Sequence, residues 1–186
     1  PGRHTVTAVV QVAYDTVYSN DTIRRTFNVR FCEGSYTIGS CGTTDYPSLS
    51  VAMDTLHNAG VAGNIVFELC DQTFNEQVEL GNIPGADFNH RITFTTVSGA
   101  SNMAKIMHTP TSTSNYVMRL NASNYIPFDS IEFYANYTSG SGNNIYASVL
   151  NIEGSRNIAF RNCTIRSKKT TASTTNANLV VLGSEN

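Results

Sequence analysis

Part of this chain is written twice at a spacing of 32 residues, and that repeat limits its fold more than any other feature. Val117-Met118-Arg119-Leu120-Asn121-Ala122-Ser123 aligns with Val149-Leu150-Asn151-Ile152-Glu153-Gly154-Ser155. The match persists, with Ile126 and Phe128 on Ile158 and Phe160, and Ile131 and Phe133 on Cys163 and Ile165. A third copy, Leu179 to Asn186, aligns with Leu150 to Asn157 at an offset of 29. A period near 30 belongs to solenoids, whose units bury their apolar faces only by stacking. Helical repeats need two long amphipathic segments per unit, and leucine-rich repeats need their Leu/Asn ladder; neither is present. Short strands between Ser/Asn/Gly turns fit one rung of a parallel β-helix. Leu120 and Ile152 are therefore expected to point inward, one above the other.

Composition narrows the class. Charged residues make up 14% of the chain, against about 25% in ordinary soluble domains. In their place stand 20 Asn, 18 Ser and 22 Thr, residues that β turns consume. The net charge is −2 and no basic stripe exists, so a nucleic-acid partner is not expected. No apolar run approaches the roughly 20 residues of a membrane helix. The chain opens at Pro1 and is expected to be a piece of a longer protein.

Ahead of the repeat the pattern changes twice. Thr5–Val12 and Thr22–Phe31 alternate apolar and polar residues, the period of half-buried strands, and are expected to pair as an antiparallel hairpin. Asp45-Tyr46-Pro47-Ser48 is a helix start. Leu49, Ala52, Met53, Leu56 and Ala59 then share one helical face, so a helix over 46–59 is expected to cap the open end of a β stack. Strands follow at 64–69, around Phe74–Leu80, and at Ile92, Phe94 and Ile106.

The stretch Ile38–Ile106 resembles the opening of pectin-lyase-like β-helix proteins, including pectin methylesterases. The likeness rests on Asp45-Tyr46-Pro47-Ser48-Leu49, the helix after it, the strand Ile65–Leu69 and Thr73-Phe74-Asn75-Glu76-Gln77-Val78-Glu79-Leu80. The same opening is found in large secreted cell-surface proteins of gliding bacteria. Residues 1–31 resemble the end of a bacterial Ig-like module. The resemblance implies an all-β fold, a right-handed parallel β-helix over 35–186 preceded by the end of an Ig-like sandwich and linker over 1–34. It also implies export to the cell surface. The family's catalytic aspartates and arginine lie in later rungs, in Gln-Asp-Thr-Leu-like and Asp-Phe-Ile-Phe-Gly-like motifs that this chain lacks, so no catalytic residue carries over.

Several residues invite a chemical reading. Glu68, Asp71, Glu76 and Glu79 form an acidic cluster, the one candidate for acid–base work or calcium; outward-facing strand edges explain it as well. His4, His57, His90 and His108 have no spacing that suggests a metal or a nucleophile–base pair, and His57 suits a helix C-terminus. Cys32 and Cys41 flank a Gly-rich turn and are candidates for a local disulfide. Four of seven Asp open an Asp-Ser/Thr-aliphatic triplet, a pattern that resembles an O-glycosylation motif and marks Thr16, Thr22, Thr55 and Ser130. Tyr116, Tyr125, Tyr134 and Tyr137 are candidate stacking platforms for sugars. Asp129 over Arg161 is the one charge pair that the alignment places between repeats. The leading expectation is a non-catalytic adhesin or envelope scaffold, with no cofactor, that meets a surface polysaccharide or another cell-surface protein. The alternatives are a polysaccharide lyase or esterase with its site beyond residue 186, and a carbohydrate-binding solenoid.

Overall fold

The computed structural model describes residues 1–9, 22–111, 113–136, 145–168 and 175–183. The chain is mostly β, with parallel sheets. Strands β1 (Gly2–Val9) and β2 (Thr22–Val29) form a separate antiparallel pair. Three parallel sheets follow. The first holds β3 (Gly34–Ile38), β4 (Ile65–Leu69), β7 (Ile92–Thr96), β10 (Pro127–Asp129) and β13 (Ala159–Arg161). The second holds β5 (Thr73–Asn75), β8 (Ala104–His108), β11 (Ile131–Ala135) and β14 (Thr164–Ser167). The third holds β6 (Val78–Leu80), β9 (Tyr116–Asn121), β12 (Ile145–Glu153) and β15 (Thr175–Gly183). From β4 onward the chain visits the three sheets in rotation.

Registers follow the apolar pattern, because a one-residue slip would turn each strand's inward set outward. Leu80, Leu120 and Ile152 are successive partners, as expected. Inside the first sheet, Phe67, Phe94, Phe128 and Phe160 stand in register. Their rings stack at 5.1, 5.2 and 5.0 Å between centroids, and Phe31 meets Phe67 edge-on at 5.5 Å. Phe31 is fully buried, so the chain enters this core before Gly34.

Two expectations about register are corrected. The third copy pairs at an offset of 30, not 29: Leu150 lies beside Val180, and Ile152 beside Leu182. The 29-residue alignment matched Gly154-Ser155 to Gly183-Ser184, whereas the sheet matches apolar residues with one another. The segment Phe74–Leu80 is two strands in two sheets, broken at Glu76-Gln77. A corner there lets Phe74 and Val78 both reach the core.

The helix α1 (Leu49–Ala59) starts at Ser48, whose Oγ accepts from the Val51 N–H at 3.3 Å. Glu76 adds a second cap from the β5–β6 corner, its carboxylate accepting from the Leu49 N–H (3.1 Å) and Ser50 N–H (2.8 Å). An acid there also meets the positive end of the helix dipole. The buried face is Leu49, Ala52, Met53, Leu56 and Ala59, and it packs toward β6. Gly60 ends the helix at φ +70°; a Cβ there would lie 2.3 Å from the Pro84 carbonyl oxygen. Only glycine fits such a position.

The corners recur with the repeat. Ala122 and Gly154, Tyr125 and Asn157, and Ser130 and Asn162 form three pairs 32 residues apart, each with φ between +51° and +58°. Left-handed backbone costs an ordinary residue about 1–2 kcal/mol. Ala122→Gly is therefore expected to stabilise the chain by about 0.5–1 kcal/mol, read as a higher urea midpoint, even though glycine gains unfolded-state entropy. A lower midpoint would contradict this.

In the hairpin, His4, Val6, Ala8, Ile23, Arg25, Phe27 and Val29 share one face, and Thr5, Thr7, Val9, Thr22, Arg24 and Thr26 share the other. The first face, apolar but for Arg25 and His4, is open: Val6 is 55% exposed, Ile23 58% and Phe27 48%.

Candidate functional site

The described charged side chains are organised mainly between neighbouring strands of the second and third sheets. On the third sheet, the Arg119 guanidinium lies 2.7 Å from the Glu153 carboxylate and 3.8 Å from that of Glu79. Tyr116 Oη donates to Glu79 at 2.9 Å, and Asn151 Nδ2 to Glu153 at 2.8 Å. On the second sheet, Glu132 accepts from Arg166 Nε at 2.6 Å and lies 3.6 Å from Lys105 Nζ. Arg166 and Lys105 also lie 5.0 and 5.8 Å from the Tyr134 ring centre, within cation–π range.

These ladders overturn the expectation of a single charge pair between repeats. The alignment compared residues directly opposite, and there Arg119 does face Asn151, and Glu132 faces Thr164. The bonds of Arg119 to Glu153 and of Glu132 to Arg166 run diagonally, two residues along, which long side chains reach easily. Asp129 and Arg161 are partners in register. However, the Asp129 carboxylate is held first by Asn162 Nδ2 (3.0 Å) and Ser130 Oγ (2.8 Å). These bonds, and then the charge of Arg161, keep it below the usual carboxylate range.

Glu153 behaves alike. The hydrogen bond from Arg119 lowers its pKa most, against partial burial, and Asn151 helps. A carboxyl with a depressed folded pKa stabilises fully above its ordinary value near 4.5, and that stability is lost as pH falls through the lower folded value. Arg119→Met is expected to move the Glu153 midpoint up toward 4.5, read by carbon-13 titration of the carboxyl. An unchanged midpoint would show that the guanidinium does not set it.

The acidic cluster is dispersed. Glu68 points from the outer side of β4 between Thr37 and Thr95, Asp71 is exposed, Glu76 caps the helix and Glu79 joins the Arg119 ladder. Among the described residues, no three His, Cys, Asp or Glu side chains gather as metal ligands. The tyrosines do not form one platform either: Tyr116 is on the third sheet, Tyr134 on the second, Tyr125 at a corner, and Tyr137 lies outside the described residues.

His4 stacks on Phe27 at 5.9 Å, His90 lies 3.1 Å from Asp87, and His57 Nε2 accepts from the Gly81 N–H at 2.9 Å. His108 meets a hydroxyl that the sequence did not point to: Nε2 is 3.1 Å from Ser114 Oγ. The proton wiring is wrong for a nucleophile–base pair. Ser114 donates to Gln77 Oε1 at 2.6 Å, while Gln77 Nε2 is fixed on the Tyr116 carbonyl. The histidine must then donate to Ser114 and cannot take its proton. The trio ties together the flanks of β6, β8 and β9.

The disulfide joins Cys41 to Cys70, which corrects the expected Cys32–Cys41 bridge. Cys32 is free and exposed, and Cys163 is free and partly buried. Five-residue β3 separates Cys32 from the turn that holds Cys41, a span of about 16 Å at 3.3 Å per residue. The same strand pairs Ile38 with Leu69 and so delivers Cys41 beside Cys70. Of the candidate glycosylation hydroxyls, Thr22 is exposed on β2. Thr55 Oγ1 donates to the Val51 carbonyl at 2.9 Å, and Ser130 Oγ to Asp129. Thr16 lies outside the described residues.

No protein-family model, curated protein or solved structure matches this chain. No helix among the described residues is long and apolar enough to cross a membrane.

Proposed function

We propose that residues from about 35 onward are the opening of a right-handed parallel β-helix in an exported cell-surface protein, an adhesin or envelope scaffold, and that residues 1–34 are the end of an Ig-like module plus a linker whose Phe31 already enters the β core. The rotation of successive strands through three parallel sheets carries this reading. Parallel crossovers are right-handed in nearly all proteins. The Cys41–Cys70 bridge favours an oxidising compartment. The charge ladders favour a scaffold, since Glu79, Arg119, Glu153, Lys105, Glu132 and Arg166 spend their partners on one another across strands. The partner on this reading is a surface polysaccharide or another cell-surface protein, and Thr22 is the described hydroxyl best placed for O-glycosylation.

The purified chain is expected to turn over neither methylated nor demethylated pectin, with or without calcium. Turnover that disappears in Asp129→Asn, Asp71→Asn or Glu76→Gln would replace the scaffold reading with an enzyme.

A further inference from the structure

We infer that helix α1 is closed over the β stack by an acid-sensitive latch at His57. The inference stands apart from the functional reading and rests on the direction of one hydrogen bond. The Gly81 N–H points at His57 Nε2 from 2.9 Å. A backbone N–H can only donate, so Nε2 must carry its lone pair and the ring must be neutral with its proton on Nδ1. Protonation puts the ring's second N–H on Nε2, facing the Gly81 N–H, and the bond is lost. His108 is the internal contrast: its Nε2 already donates to Ser114, so protonation leaves that bond in place.

The position of the latch gives it leverage. His57 lies in the last turn of α1, and Gly81 directly follows β6. The first turn has its own ties, through Ser48, Glu76 and the Cys41–Cys70 bridge shortly before it. Just past the last turn the chain is held by the Phe31 N–H on the Gly60 carbonyl (2.9 Å) and the Val61 N–H on the Pro84 carbonyl (2.8 Å), so acid should loosen the stretch between these ties, from Met53 to Ala59, while the first turn stays docked. The charged or titratable side chains described on the elements against the helix are Asp54 on α1 itself, Glu79 on β6, His4 on β1, and Arg24 and Arg25 on β2. None of them makes an ion pair or hydrogen bond to the His57 ring among the described residues. Among the described residues no carboxylate bonds the ring, and the compensation on hand is the negative end of the helix dipole and Asp54 one turn earlier.

Hydrogen exchange on the intact 186-residue chain tests this. After correction for intrinsic rates, protection at Gly81 and across 53–59 is expected to fall about three- to tenfold from pH 7.5 to 5.0, the scale of one hydrogen bond lost at a part-buried site. The interiors of β7 and β10 should change less than about twofold. His57→Gln, which keeps an acceptor at the same reach but takes up no proton, should abolish the pH effect. Nitrogen-15 NMR of the wild-type ring at pH 7.5 should show Nε2 unprotonated, a readout that needs no variant. An Nε2–H tautomer, a wild-type helix equally protected at both pH values, or an equal loss in His57→Gln would each overturn the latch.

Discussion

Phe128→Ala is expected to remove about 4 kcal/mol of stability, at the centre of the range for burying and then deleting a large aromatic side chain. Phe128 is fully buried and is held on three sides. Phe94 stacks below it at 5.2 Å and 16°, Phe160 above at 5.0 Å and 7°, and Phe133 meets it edge-on at 5.7 Å. Each such pair adds about 0.5–1.5 kcal/mol beyond area. The rings above and below belong to paired strands and cannot close the gap without breaking the ladder. Phe128→Leu, which refills most of the volume, should cost about 1–2 kcal/mol. Phe88→Ala, at a ring 67% exposed, should stay within about 0.5 kcal/mol. Urea midpoints at constant slope measure all three. A loss below about 1 kcal/mol in Phe128→Ala would mean that the column is not continuous.

Opening the Cys41–Cys70 bridge is the second large effect. The two cysteines are 29 residues apart, and a loop of that length restricts the unfolded chain by about 3.5 kcal/mol. The bridge ties the turn after β3 to the end of β4, and that turn leads into α1. Cys41→Ser, Cys70→Ser and reduction by dithiothreitol should each lower the melting temperature by roughly 10 °C for a chain of this size. Cys32→Ser should leave it unchanged, since that thiol is free and exposed. If Cys32→Ser destabilised as much as Cys41→Ser, the local bridge first expected would be the true one.

The stack was readable where copies are of equal length and nowhere else. Leu120 and Ile152 are 32 residues apart and equivalent in the repeat, so their stacking could be foretold. Leu80 and Leu120 are 40 apart, and Ile152 and Leu182 are 30 apart. Corners vary in length from one turn of the chain to the next, and a fixed offset loses the register across them. This is why the earlier Phe67 and Phe94 were seen as strand residues but not as members of the Phe128 column, and why the third copy slipped by one residue.

The chemistry divides along the same line. Local composition by itself determined a helix start within Asp45–Ser48, the apolar face from Leu49 to Ala59, the alternation of the two hairpin strands and the inward set of the repeat, though the helix begins at Leu49 and not at 46 as expected. Each depends on neighbours within a few residues or on one exact period. Only the tertiary structure decided that Cys70 rather than Cys32 meets Cys41, that Glu76 caps a helix 26 residues before it, that Arg119 reaches diagonally to Glu153, and that Ser114 turns its proton away from His108. Those partners are set by which strands lie side by side and by the directions of single bonds. A sequence read along one dimension holds the residues but not the sheet that brings them within 3 Å.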